Sequence, residues 1–371
     1  MIRVAIASLM KPANEVRMYK RFGLSLAKAT KYEVNIIGIE SKNLPTDHSN
    51  ILFHTLPNSG RSLKSRLKNS LQYIRYIRKI QPHILIITSP GLLLISSLLI
   101  KKRRMKWVYD IQEDYYKNII YQRIYPVAIR HILATLIRLT ESICLKRIDT
   151  VFLAEKCYQK ELNSLTKRID TYTLENKSTT LSNKKIRTKT NFLRLVFTGT
   201  ISHYAGIKNA VKIYQALKAN GNNTSLTIVG ICHTKQLRDE LRNLSTADSN
   251  IQVIGINNFV EHNELIGYLQ KADLAIIGYE TNEINKEKAP SKLYEYLTHG
   301  IPFIVQKDSY WHTISNNAGL AIPVNFSSIS APDILEMLDA LPKTPTEAVQ
   351  VAAEWSTEEA TLQHSINQLA E

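Results

Sequence analysis

The sequence predicts an α/β protein of two domains, each a doubly wound parallel sheet. A chain of 371 residues has room for two domains rather than one. In both halves, apolar runs of strand length alternate with stretches of helical spacing. Between the halves, residues 164–192 are polar and rich in Lys, Thr, Ser and Asn around a short TYTLEN run, which suits an interdomain connection. The expected division is 1–185, 186–345 and a helical last segment, 346–371.

Arg3–Leu9 and Val34–Ile39 are the first strands, and Met18–Ala29 between them has helical spacing through Phe22, Leu24 and Leu26–Ala27. This βαβ opening places the loop Lys11–Arg17 (KPANEVR) at the carboxyl end of a strand, where open α/β sheets bind ligands. Ser62–Ile80 is a helix with Leu63, Leu67, Leu71, Ile74 and Ile77 on one side, while Arg61, Lys64, Arg66, Lys68, Arg75, Arg78 and Lys79 crowd the rest. Ile84–Ile100 is almost wholly apolar and KKRRMK follows it, but Ser89-Pro90-Gly91 breaks the run short of a membrane span. It is expected to be a buried strand, a turn and a packed helix. Lys106–Ile111 is the next strand, and Tyr116–Tyr125 interleaves tyrosines with isoleucines as an interfacial loop would. Ala128–Leu145 is a long helix, and Thr150–Ala154 the strand closing the first domain.

In the second half, strand runs recur at Leu193–Gly199, Ser225–Gly230, Ile251–Ile256, Leu274–Tyr279 and Pro302–Val305. Each is followed by a helical pattern, the first through the turn Thr200–Gly206 into Ile207–Leu217. Trp355–Leu369 has helical spacing at Leu362, Ile366 and Leu369.

The net charge of +16 is uneven. Residues 1–150 hold 26 Lys and Arg against 9 Asp and Glu, a balance of +17, and residues 151–371 hold 22 against 23, a balance of −1. A basic first half calls for an anionic partner. The Ser62–Ile80 helix and KKRRMK can lie on an anionic membrane surface, although a core-packed helix with a solvated charged face shows the same pattern. Nucleic acid is set aside, because beyond charge there is no zinc-finger spacing and no RNP-like motif. Cys144, Cys157 and Cys232 fit neither a disulfide framework nor a metal cluster, which points to a reducing compartment. MIRVAIASLM opens as a strand without the zones of a signal peptide. No Gly-x-x-x-x-Gly-Lys-Ser/Thr loop, His-Glu-x-x-His pair, Gly-x-Ser-x-Gly elbow or metal-holding Asp-x-Asp pair occurs.

Asn285–Val305 (NKEKAPSKLYEYLTHGIPFIV) organises the second half. Pro290 suits the first turn of a helix and Gly300 the residue just past its end. Leu293 and Leu297 would face a core, with Lys292, Glu295 and His299 sharing another face. The first helical N–H groups, at Ser291 and Lys292, make a ready phosphate site. Glu295, one turn further in, can accept two hydrogen bonds from a ribose diol. Glu287, eight positions earlier in the loop, can reach a sugar beyond the phosphates.

Glu287-x7-Glu295 followed by Gly300-Ile-Pro302 resembles the donor-site signature of glycosyltransferase family 4, the retaining GT-B enzymes. Pro-Ser-Lys-Leu-Tyr-Glu-Tyr is similar to the variant found in bacterial surface-polysaccharide glycosyltransferases. The resemblance implies the GT-B fold, two Rossmann-like doubly wound domains facing a central cleft. Residues 1–185 would bind the acceptor and 186–345 the nucleotide sugar, with the 346–371 helix crossing back to the first domain. The implied activity is metal-independent hexosyl transfer, with retention, from a UDP- or GDP-linked sugar to a lipid-linked glycan in surface-polysaccharide assembly. No cofactor is called for, and the implied location is cytoplasmic, at the inner face of the cell membrane.

On the same resemblance, Glu287 and Gln112 belong to the catalytic centre and Glu295 to the ribose. Pro290, Ser291 and Lys292 at the helix start, with Gly199, Thr200 and His203 in the turn, would hold the donor. Arg17, matching an arginine of the bacterial subgroup, and Asn14 would meet an acceptor or anion. A solvated arginine at a helix start is the other reading of Arg17. Three residues depart from the family. Gln112 replaces the histidine of Tyr-Asp-x-His-Glu-Asp, although Tyr109-Asp110 and Glu113-Asp114 are kept; glutamine bonds a hydroxyl but carries no proton. Thr200 and Ala205 stand where an arginine and a lysine grip the diphosphate, with Lys208, Lys286, Lys288 and Lys292 as candidate substitutes. These departures leave two other readings, a GT-B nucleotide-sugar-binding protein without catalysis and a GT-B epimerase or hydrolase.

Overall fold

Parallel strands need crossover connections, and the alternation of strand and helix along this chain supplies them. The computed structural model describes residues 1–41, 43–58, 63–102, 104–121, 126–179, 191–342 and 346–371. The chain divides into two compact units, Met1–Thr179 with Glu358–Glu371, and Thr180–Thr357. The boundary expected near 185 lies outside the described residues.

The first unit is one parallel sheet of β1 (Ile2–Pro12), β2 (Tyr32–Ile39), β3 (Ile51–Leu56), β4 (Ile84–Ile87), β5 (Lys106–Ile111), β6 (Thr150–Leu153) and β7 (Asp170–Thr173). Their order is β3-β2-β1-β4-β5-β6-β7. The winding reverses between β1 and β4. The second unit repeats the scheme with β8 (Leu193–Thr198), β9 (Thr224–Val229), β10 (Ile251–Ile254), β11 (Leu274–Ile276), β12 (Phe303–Gln306) and β13 (Ala321–Val324), in the order β10-β9-β8-β11-β12-β13. Successive residues of its strands enter opposite cores: Leu195, Phe197 and Ile304 on one face, Val196, Phe303 and Val305 on the other. Both faces are therefore covered, as parallel sheets require.

Several elements differ from the sequence reading. Thr150–Ala154 does not close the first sheet; β7 adds beyond it, inside the polar stretch assigned to the connection. The Met18–Ala29 helix is a π-helical turn, Arg17–Gly23, running into Leu24–Ala27. Residues 115–121 form a helix rather than a loop, and 122–125 lie outside the described residues. In the Leu63–Ile80 helix, Leu67 and Leu71 are exposed, at 64% and 50%. The buried side is Ser65, Asn69, Ser70, Tyr73, Ile74, Ile77 and Ile80, so of the expected face Ile74 and Ile77 are buried; Tyr73 bonds Ser96 (2.8 Å) and Asn69 bonds the Pro57 carbonyl (3.2 Å). The apolar stretch at 84–100 is β4, a turn and the Pro90–Leu99 helix, capped by Ser89. No helix among the described residues is long and apolar enough to cross a membrane.

The Ser356–Ala370 helix belongs to the first unit from Glu358 on. Leu362 and Ile366 are fully buried, Glu359 pairs with Lys28 at 2.7 Å, and Glu358 pairs with Lys177 at 2.6 Å.

Candidate functional site

In the second unit the carboxyl ends of β8 and β11 lie side by side where the winding reverses, the position at which open α/β sheets take ligands. Gly199 follows β8 with φ +97°, and the turn after it ends at Gly206, φ +81°. A Cβ on Gly206 would stand 1.7 Å from the Gly278 oxygen, so the two backbones touch and only glycine fits. Asn209 secures the contact by donating to the Gly278 oxygen and to Glu280, each at 3.0 Å. The loop beyond is folded by its own amides: Asn285 Nδ2 donates to the Glu280 carbonyl (3.0 Å) and the Asn282 N–H to Asn285 Oδ1 (2.8 Å). Trp311 anchors its end by donating to the Lys288 carbonyl at 2.6 Å.

The helix that follows is Ser291–His299. Pro290 stands just outside it as N-cap rather than in its first turn, because its ψ of 142° keeps it extended. At the far end Gly300 takes φ +63°, and the N–H groups of Gly300 and Ile301 bond the Leu297 and Tyr296 carbonyls, a Schellman closure. Every residue of the helix except Ser291 is buried. Leu293, Tyr294, Tyr296 and Leu297 join the apolar core, so the polar side, Lys292, Glu295 and His299, is buried as well.

Lys292 is 7% exposed. Its Nζ donates to the Thr198 carbonyl at 2.8 Å and lies 4.7 Å and 4.9 Å from the ring centres of Phe197 and Tyr279. A Cβ on Gly199 would be 3.8 Å from that nitrogen. Burial pulls the Lys292 pKa down to about 8, with Glu295 acting the other way. An ammonium has three donors, and one hydrogen bond of Lys292 is made among the described residues. Glu295 pairs with His262 Nε2 at 2.8 Å. One turn on, His299 is 1% exposed and neither ring nitrogen has a partner among the described residues. Burial lowers the His299 pKa, Glu295 opposing and His262 adding, so this ring is held neutral. Tyr296 ties the helix to β8 through its hydroxyl and Thr198, 2.8 Å apart.

The other expected donor residues are more open. Ser291, Glu287, Thr200 and His203 are exposed. Ala205, where a lysine was looked for, is a core methyl at 2% exposure, with its N–H bonded to Ser202. Lys286 pairs with Glu283 at 2.9 Å, and Lys208 is exposed on the Ile207–Ala219 helix. Of the candidate substitute cations, Lys292 is the one whose ammonium stands beside Gly199.

The first unit gathers Gln112 and Arg17 at the carboxyl ends of β1 and β5. Arg17 is neither solvated nor available to a ligand anion in this arrangement. It is 1% exposed and holds Asp110 through Nε and Nη2 at 2.6–3.1 Å, while Nη1 donates to the Leu174 carbonyl (2.8 Å) and Asn176 (3.0 Å). Gln112 donates to Asp110 at 2.6 Å and accepts from Lys11, which also pairs with Glu15 at 3.0 Å. Burial would raise the Glu15 pKa, but Lys11 and the Met18 N–H together bring it below the usual value. Asn14 donates to the Asn43 carbonyl at 3.1 Å, and its Oδ1 is buried without a partner among the described residues.

Sequence reasoning missed His262, Phe197 and Tyr279. His262 is 33 positions from Glu295, and no spacing announces the pair. Tyr279 had a signal, since it is the last residue of the recognised strand run Leu274–Tyr279, at the carboxyl end where the winding reverses.

Both units are Rossmann-like, and together they have the fold of GT-B glycosyltransferase structures. Residues 178–345 match the family model described as Glycosyl transferases group 1. Sucrose-phosphate synthase from Thermosynechococcus elongatus is similar with a TM-score of 0.69 at 13% identity, covering 100% of this chain and 99% of that one. HepE from Anabaena, solved in complex with UDP and glucose, gives 0.64 at 12% identity, over 99% of this chain and 100% of that one. WaaG, a glycosyltransferase involved in lipopolysaccharide biosynthesis, gives 0.61 at 13% identity, over 96% and 94%. No curated protein matches the chain.

Proposed function

We propose that the protein is a glycosyltransferase of family 4 that moves a hexose, with retention, from a nucleoside-diphosphate sugar to a lipid-linked glycan in surface-polysaccharide assembly. The observation that carries the donor part is the buried polar side of one helix: Lys292 against Gly199, and Glu295 one turn in, at the carboxyl ends of β8 and β11. Support comes from the Glycosyl transferases group 1 match over 178–345 and from HepE, whose structure holds UDP and glucose. The Ser291 and Lys292 N–H groups and the Lys292 ammonium would hold the diphosphate and stabilise it as it leaves. Glu295, positioned by His262, would take the ribose diol, and Glu287 the transferred sugar. The amide of Gln112 is oriented by Lys11 and Asp110 and is neither an acid nor a base, so it would position a sugar hydroxyl. The basic first half would hold the enzyme on an anionic membrane face, where a lipid-linked acceptor resides.

The test is a thermal-shift screen of the wild-type chain and Glu295→Ala against UDP, GDP, ADP and their sugars. One nucleotide should stabilise the wild type, with affinity reduced about tenfold or more in the variant, the range expected for lost hydrogen bonds to a charged group. A flat screen would remove the donor site and with it the transferase reading.

A further inference from the structure

The Val127–Cys144 helix is 18 residues long, yet among its residues only Ala134, Glu141 and Cys144 are buried. Ile129, Ile132, Leu136, Leu139 and Ile143 are exposed by 46%, 61%, 53%, 53% and 56%. Their spacing of three and four residues puts all five on one stripe of the helix. Isolated exposed aliphatics are ordinary, but a continuous stripe five side chains long marks an interaction surface. A second exposed apolar group lies on the neighbouring helix. Arg147, just past the Val127–Cys144 helix, donates to the Ser97 and Ile100 carbonyls, joining it to the end of the Pro90–Leu99 helix. That neighbour leaves Leu94, Leu98 and Leu99 exposed, at 39%, 72% and 51%.

Charge says what covers this surface. Where the two helices end, the exposed ionic side chains are Lys101, Arg104, Lys106 and Lys146. Of the acids nearby, Asp110, Asp114 and Glu141 are buried, Asp149 is partly buried and paired with Lys102 at 2.8 Å, and Glu113 is exposed and accepts from Asn118 at 2.7 Å; Asp114 is paired with Arg138 at 2.8 Å and Glu141 accepts from Tyr109 at 2.9 Å. An apolar stripe with a cationic end fits a layer that is apolar inside and anionic at its surface.

We propose that the apolar stripe of the Val127–Cys144 helix, with Leu94, Leu98 and Leu99, is the face by which the first unit inserts into an anionic lipid bilayer. The stripe lies in the acyl boundary, and Lys101, Arg104 and Lys146 meet the headgroups. This rests on the membrane reading given above and moves its centre. The Leu63–Ile80 helix and KKRRMK offered charge, whereas the Val127–Cys144 helix offers the apolar area that makes attachment persist in salt.

The experiment is flotation of the full chain with phosphatidylcholine vesicles, with and without phosphatidylglycerol, at low and high salt. Wild type, Ile132→Ser/Leu136→Ser and Lys101→Glu/Arg104→Glu are compared, with sedimentation velocity alongside. All four positions are exposed, so each variant should melt as the wild type does. The wild type should float with anionic vesicles and retain part of its binding in high salt. The serine pair should lose about tenfold or more in partitioning at every salt concentration, as expected for two half-buried aliphatics. The glutamate pair should lose only the salt-sensitive part. Equal flotation of wild type and serine variant would overturn the assignment of this face while leaving membrane attachment standing. No flotation of the wild type would overturn both. A wild-type dimer that the serine pair converts to monomer would overturn the proposal by naming a second copy as the occupant.

Discussion

Lys292→Met separates what Lys292 does for a ligand from what it does for the fold. The folded protein holds this ammonium at a pKa of about 8, below the ordinary lysine value of 10.5, because the group is buried. A depressed pKa on a base means that its charged form is disfavoured in the folded state. The penalty is therefore fully present below about pH 8 and disappears as pH rises toward the unfolded value. Two to three pKa units correspond to about 3 kcal/mol of strain at neutral pH. Against this, methionine leaves the Thr198 carbonyl without its donor, which costs about 1–3 kcal/mol. It keeps the stem packed between Phe197 and Tyr279. The variant should thus be as stable as the wild type or up to about 2 kcal/mol more so, raising the melting temperature by a few degrees. Nucleoside-diphosphate binding should weaken at the same time by about 10-fold to 150-fold, the value of a charge-assisted bond to phosphate. Chemical denaturation and calorimetric titration with UDP and GDP read the two effects separately. A loss of more than about 2 kcal/mol in stability with unchanged affinity would refute the assignment and make Lys292 a structural strut.

The same pKa sets a pH dependence. Nucleoside-diphosphate affinity should be flat below about pH 8 and fall about tenfold per unit above it, once Lys292 loses its proton; titration between pH 7 and 9.5 checks this, and no change across the range would place the phosphates elsewhere (the range being roughly that bracketing the shifted value). In the first unit, Arg17→Met leaves Asp110 buried without its partner and should cost about 3–5 kcal/mol. Thermal unfolding should recover at least half of that loss in Arg17→Met/Asp110→Leu. If Arg17→Met instead melts as the wild type and loses only acceptor-dependent turnover, Arg17 contacts a ligand after all.

Residues buried on both faces of a sheet announce themselves, and residues at its rims do not. The central strands β1, β4, β8 and β12 are apolar runs that sequence alone identifies. The missed strands are β3, β7 and β13, each at the end of its sheet. β7 (DTYT) buries none of its residues fully, so it carries no apolar signal and vanished into a polar stretch. β13 (AIPV) contains Pro323, which argues against a strand except at an edge, where no donor is needed on the open side. In the Leu63–Ile80 helix the expected face is buried at Ile74 and Ile77 but exposed at Leu67 and Leu71, where Asn69 and Tyr73 turn inward on hydrogen bonds that no periodicity encodes.

The site was legible where it lies in one contiguous stretch and illegible where the sheet order assembles it. The helix end and the shared Lys292, Glu295, His299 face follow from local rules, but the helix is seated by the core that Leu293, Tyr296 and Leu297 share with Val196, Ala275 and Phe303 from three strands. The same assembly bears on positions 200 and 205, where the resemblance implies an arginine and a lysine and this chain has Thr200 and Ala205. The Gly206 backbone is pressed against Gly278, and position 205 points into the core. A cation reaching Gly199 from that position would have to leave the core to do so. The Ser291–His299 helix offers another route, since its first turn places Lys292 beside Gly199, between Phe197 and Tyr279. Seen this way, Ala205 and Lys292 are two halves of one arrangement, in which the positive charge beside Gly199 comes from the helix start rather than from the turn.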